Sequence, residues 1–298
     1  MTDSRQWTGK TGGGSFGQKF LFGFLKKVRV SFLYPVLYLI IPFYLLFGRK
    51  GYKAMMSFFH EHLGKTRWQA FWATVKNHII FGQVVLDKFA LLAGNTNQFK
   101  VSVDNLDIFN QAIDMPGGFI TVSAHVGNFE AAGLCLHQDK KQLNGVVYGG
   151  ETQAFSEHRT EAFQKSHLKL IPVSNDMSHL FAIKSAVENG EIVTLHGDRL
   201  WGSPKYFSCN FLGSEAHFPI GTFRLATQMD APVFAVFIMK EKGLSYHGYV
   251  YKLTHLENEK SSVKKAEYIG RQYVEKLEET IRKYPEQWFN YYDFWSKS

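Results

Sequence analysis

The residues best suited to chemistry lie in one octet, Ser123-Ala124-His125-Val126-Gly127-Asn128-Phe129-Glu130. An imidazole and a carboxylate at this spacing can act as a general base and its partner. Glu130 would accept a hydrogen bond from one ring nitrogen of His125, fixing the tautomer and stabilising the imidazolium. The other nitrogen would take a proton from a hydroxyl or amine attacking an acyl thioester. This is the logic of a Ser-His-Asp triad in which the substrate brings the nucleophile. On a continuous helix the two residues would lie roughly 140° apart and would not meet. They meet if His125 occupies a strand-to-helix corner and Glu130 the first helical turn. Gly127 permits the unusual backbone angle such a corner needs. Asn128 is a good N-cap and places Glu130 at the second helical position, where the helix dipole favours a carboxylate. The competing reading is a capped helix with an incidental His.

The elements that must position this octet follow from the patterning. Phe119–Ser123 (FITVS) is a β-branched run leaving the turn Pro116-Gly117-Gly118, and so predicts a strand directly before His125. Similar runs occur at 145–148, 168–173, 191–195, 232–239 and 246–253. Helical stretches are predicted between them at 129–138, 153–166, 177–189 and 220–229, and a final helix ends before Pro285. Strands alternating with helices predict an α/β fold with a mixed, largely parallel central sheet flanked by helices. Residues 19–93 read as helical and precede the sheet. The expected division is 1–55 as an N-terminal tail and hydrophobic segment, then 56–298 as the α/β domain.

The stretch from Ser31 to Phe47 is apolar and starts too late for a secretory signal. It stands at the lower length limit for a membrane span, and Pro35 and Pro42 would bend it. It can span a bilayer or lie in the interface, with Arg49, Lys50 and Lys53 on headgroups; a buried hairpin is the alternative. Aromatic residues make up 16% of the chain, which favours lipid contact as much as a Phe-rich core. The net charge of +8 suits anionic lipid or an acidic protein. Nucleic acid is the weakest of the usual partners and is not expected, because the basic residues are scattered and no reader motif occurs. Cys135 and Cys209 form no C-x-x-C, and no metal site is expected. Gly13-Gly14-Ser15-Phe16-Gly17 lacks the strand a nucleophile elbow requires, and Gly9-Lys10-Thr11 lacks a P-loop cradle. His60-Glu61-His62 lacks metal-ligand spacing.

HVGNFE resembles the H-x-G-N-x-E signature of the lysophospholipid acyltransferase superfamily. It is most similar to the lipid A biosynthesis (lauroyl/myristoyl) acyltransferase branch. Leu195-His196-Gly197-Asp198-Arg199, Phe218-Pro219-Ile220-Gly221, Asp230-Ala231-Pro232-Val233 and Pro285-Glu286-Gln287-Trp288 resemble further blocks of that branch, in the same order. The N-terminal stretch from Trp7 and the Phe81–Lys88 segment look like a subgroup often found with glycolipid or polyene-pigment pathways rather than lipid A itself.

The resemblance implies a glycerol-3-phosphate acyltransferase-like fold and an enzyme on the cytoplasmic face of the inner membrane. It would take acyl groups from acyl carrier protein or coenzyme A and pass them to a membrane lipid or glycolipid, with no further cofactor. By position, His125 is the base and Glu130 its partner. Asn128, Arg159, Asp198, Arg199 and Pro219 are expected at the substrate site. Arg159 would bind acceptor phosphate or carboxylate. Asp198 and Arg199 follow a strand, where ligands gather in open α/β sheets. Arg199 departs from the more acidic usage of the family at this point. The rival readings are a thioesterase using the same pair on water, and a non-catalytic lipid-binding protein on this fold.

Overall fold

The computed structural model describes residues 25, 28–132, 140–148, 168–174, 176–200 and 205–295. Helix α1 (Tyr34–Phe47) opens with Pro35 in its first turn, where the missing N–H would be unsatisfied anyway, and carries Pro42 inside. It buries Leu37 and Ile41 and exposes Phe32 just before it, Leu39, Phe43, Tyr44, Leu46 and Phe47. With the preceding turn it forms an apolar stretch, Val30–Phe47, long enough to cross a membrane. Gly48 breaks the chain into α2 (Arg49–Ser57), a π-helical turn at Phe58–His62, and the long α3 (Arg67–Leu92). The region read as helical, 19–93, is where described a series of separate helices. Thr66 and Gln69 form a reciprocal capping box that starts α3. Helix α1 lies against α3 at Gly82, where a Cβ would stand 2.8 Å from Leu37 Cδ2.

The α/β region follows as β1 (Lys100–Asp104), α4 (Leu106–Asp114), β2 (Phe119–Ser123), β3 (Leu143–Tyr148) and β4 (Leu168–Val173). It continues through α5 (Ser178–Glu188), β5 (Ile192–His196), the hairpin β6 (Tyr206–Phe211) and β7 (Ser214–Pro219), and α6 (Gly221–Gln228). Strands β8 (Val233–Lys240) and β9 (Ser245–Leu253) and helix α7 (Ser262–Lys283) complete it. Seven strands form one sheet in the order β1-β9-β8-β2-β5-β3-β4. All neighbours run parallel except β8 and β9. The expected mixed, largely parallel sheet is therefore present. Strand β1 and the β6–β7 hairpin were not anticipated. KVSVD alternates polar residues at the sheet edge, and the hairpin forms a separate two-stranded sheet.

Strands β2 and β8 are buried along their whole length, as central strands covered on both faces must be. Helix α7 is capped by Ser261 and buries Ile269, Tyr273, Leu277 and Ile281 at helical spacing. The hairpin packs its Phe207, Phe211 and Phe218 into the main core. Of the rejected motifs, His60 bonds the Lys65 carbonyl and His62 stacks on Trp295, both structural uses.

Candidate active site

Strands β2 and β5 lie side by side in parallel, with Ser123 opposite His196. Their carboxyl ends deliver His125 and Asp198 to one place. Asp198 accepts from His125 at Nδ1 (2.9 Å) and from the His125 backbone N–H (2.8 Å). One carboxylate thus fixes both the ring and the main chain that carries it. The His125 side chain retains 24% exposure while Asp198 has 1%, so the imidazole is reachable and its partner is sealed. With Nδ1 engaged, Nε2 is the nitrogen left for a substrate proton.

The electrostatics are consistent with this division. Burial pushes the Asp198 carboxyl up, but the charge of His125, its hydrogen bond, and the nearby Arg199 outweigh this and hold it well below the usual carboxylate range. His196 lies 4.8 Å from the His125 ring. Burial, followed by the neighbouring His125 charge, pushes His196 down to about 3, which leaves it neutral and too weakly basic to hold a proton near pH 7.

The loop that carries His125 is held on several sides. Gly127 has φ +54, and a Cβ there would stand 2.1 Å from the Ile238 carbonyl oxygen. Its N–H donates to Gln287 O (2.9 Å), and Asn128 N–H donates to Ile238 O (2.8 Å). Phe289 N–H donates to His125 O (2.9 Å). The Pro285–Trp288 motif is therefore a strap along this loop. Asn77 secures the strap in turn, donating to the carbonyls of Glu286 and Trp288. On the β5 side, Tyr273 donates to Ser123 O (2.8 Å). Gly197 leaves room for Tyr273, since a Cβ there would stand 2.9 Å from its ring.

The expected site residues fall as follows. The strand-to-turn corner at His125 is present, and the Asn128 side chain caps the turn Phe129–Ala131 by accepting from Ala131 N–H. Asn128 is fully buried, and its amide nitrogen donates to Tyr246 (3.2 Å), so both ends of the amide serve the protein itself. Glu130 lies in the capped turn, but its side chain lies outside the described part. The partner seen at Nδ1 is Asp198. Arg199 donates to Phe289 O (3.2 Å) and stands 5.6 Å over the Tyr292 ring. Pro219 is buried at the end of β7, opposite Tyr206. Arg159 and Cys135 lie outside the described residues.

The sequence did not single out Asp87, Lys240, Tyr246, Tyr273 or Gln287 as acting near the site. Two of them had a readable signal. Asp87 is the one acidic residue in α3, and Lys240 is the one charge in the otherwise apolar β8.

A family profile for bacterial lipid A biosynthesis acyltransferase matches residues 77–296. The chain belongs to that family. The match covers the whole His125–Asp198 arrangement and the strap, and makes this an acyltransferase family member. No curated protein matches the chain. Among solved structures it is similar to the 1-acyl-sn-glycerophosphate (LPA) acyltransferase PlsC from Thermotoga maritima. The identity is 14%, over 85% of this chain and 97% of that one, with a TM-score of 0.42.

Proposed function

We propose that this acyltransferase moves a fatty acyl group from acyl carrier protein or acyl-CoA to a hydroxyl or amine of a membrane lipid or glycolipid. The observation that carries the reading is the partly exposed His125 ring, held at Nδ1 by the buried carboxylate of Asp198. Nε2 accepts the proton of the acceptor hydroxyl as its oxygen attacks the thioester carbonyl. The new C–O bond forms, the C–S bond breaks as the tetrahedral intermediate collapses, and the imidazolium returns the proton to the departing thiolate. Asp198 stays ionised and stabilises the imidazolium, which takes over the role expected of Glu130 at Nδ1. Glu130 is then a second carboxylate, carried on the turn Phe129–Ala131 that Asn128 caps. Arg159 and Arg199 are the cations proposed for acceptor phosphate or carboxylate.

The basic balance of the chain suits an acidic carrier protein and anionic lipid. The exposed apolar residues of α1 support association with a membrane, here assigned to the cytoplasmic face of the inner membrane. The test is incubation with radiolabelled acyl carrier protein and host lipid extract, comparing wild type with His125→Ala, Asp198→Asn and Glu130→Ala. An acylated lipid made by wild type and lost with His125→Ala supports transfer. His125-dependent release of free fatty acid alone would assign a thioesterase. An intact thioester in every sample, with acyl-CoA as well, would leave a lipid-binding protein.

A further inference from the structure

A second polar cluster is buried in the core. Asp87 is fully buried and Lys240 is 5% exposed. Lys240 Nζ meets Asp87 Oδ2 at 2.6 Å and also donates to Tyr34 Oη (2.8 Å) and Gly243 O (2.7 Å). Tyr246 donates to the same carboxylate oxygen (2.5 Å) and Tyr34 to the other (2.6 Å).

This cluster reaches the loop of His125 by two routes. Tyr246 Oη accepts from Asn128 Nδ2, and Asn128 Oδ1 caps the turn that contains Glu130. The second route runs through the main chain of Lys240, whose N–H donates to the Gln287 side chain (2.8 Å) and whose carbonyl accepts from it (2.7 Å). The backbone carbonyl of Gln287 then accepts from Gly127 N–H. In the other direction the cluster reaches the apolar N-terminal helix, because Tyr34 is the first residue of α1. A buried ion pair is a poor source of stability compared with apolar residues of the same size. What it supplies that apolar packing cannot is direction. Each donor and acceptor fixes the angle of the next group in the chain.

We propose that Asp87 and Lys240 are positioning residues for the acyltransferase site. They hold Asn128 through Tyr246 and, by fixing the end of β8, seat the Lys240 main chain that Gln287 grips, and through Tyr34 they make that hold depend on how α1 is seated. The proposal rests on His125 being the base, but its first readout does not.

The experiment compares the full chain with its Tyr246→Phe and Tyr34→Phe variants, each of which removes one hydroxyl and leaves the ring and the ion pair. Hydrogen–deuterium exchange of residues 124–131 is read first. The expected result for Tyr246→Phe is exchange faster by about tenfold there, with β5 and α7 unchanged. Tyr34→Phe is expected to act in the same direction by about threefold. Acyl transfer is read second: kcat should fall about tenfold in Tyr246→Phe while KM for the acyl donor stays within about twofold. Unchanged exchange at 124–131 overturns the proposal, and so does an increase spread equally over β2, β5 and β8. If Tyr246→Phe does not fold, Tyr34→Phe decides alone by the same two criteria. Local loosening of the loop in a chain whose wild type transfers no acyl group would uphold the positioning role and reject the acyltransferase mechanism.

Discussion

His125 and Asp198 stand 73 residues apart, the same offset that separates every paired residue of β2 and β5. The parallel register of the two strands simply continues past their ends. The imidazole and the carboxylate that orients it are thus register partners, and the ring needs no loop excursion to find Asp198. Asp198→Asn should lower kcat by about 10²–10⁴-fold with little change in KM, because an amide can hold the ring but not stabilise the imidazolium. A smaller effect from Asp198→Asn than from Glu130→Gln, measured side by side, would return the orienting role to Glu130.

His196 should make the fold sensitive to acid. Its folded-state value is about 3, against 6.5 for the free side chain. Below about pH 6.5 the unfolded chain therefore binds a proton that the folded chain refuses. Stability falls with falling pH through that window, and the loss between pH 7 and pH 5 is about 2 kcal/mol. Urea titrations at both pH values should show this loss in wild type and not in His196→Asn. Asp198 acts lower on the scale: its depressed value gives stability that is lost only as pH falls below the ordinary carboxylate range.

The Asp87–Lys240 pair should show the asymmetry of buried ion pairs. Lys240→Met leaves a carboxylate uncompensated in the core and should cost about 3–5 kcal/mol. Adding Asp87→Leu should recover most of that loss, because the desolvation cost goes with both charges. Thermal unfolding of the two variants measures it, and equal destabilisation by the single and double changes would count against the pairing.

Gly127→Ala should be far worse than an ordinary loop substitution. The backbone there is left-handed, and the new Cβ would stand 2.1 Å from the Ile238 carbonyl oxygen, which is backbone and cannot swing away. Gly197→Ala meets side chains instead, Val122 and Tyr273, at 2.8 and 2.9 Å. We expect Gly127→Ala to cost more than about 2 kcal/mol and to abolish activity, and Gly197→Ala to cost about 1–3 kcal/mol. Chemical denaturation of both variants gives the comparison.

The octet around His125 was legible because strand, glycine and cap occur in one short run, and each signal is local. The central strands were legible for the same reason, since β2 and β8 are plain apolar runs. Asp198 was placed at the site only as a strand-end residue. Its pairing with His125 depends on which strands are neighbours and in what register, and parallel neighbours are joined through long crossovers that leave no local mark. The β6–β7 hairpin was missed although Phe207–Phe211 alternates apolar and polar residues, because its turn, Leu212-Gly213, lacks the Asn-Gly or Asp-Gly pair that marks a tight hairpin. Asp87, Lys240 and Gln287 sit far apart in sequence, and their contacts exist only once the sheet, α3 and the strap are assembled.

The strap at Pro285–Trp288 also dates the site. Gly127 and His125 take their backbone partners from Gln287 and Phe289, which leave the ribosome long after the loop itself. Until those residues are made, the His125 segment has its side-chain partner but not its outer support. A growing chain can build its central strands, yet the geometry of the His125 loop waits for a far later segment to close over it. Contacts this distant along the chain are slow to form. Activity should therefore appear late during synthesis, as the strap docks, and not gradually as the sheet fills.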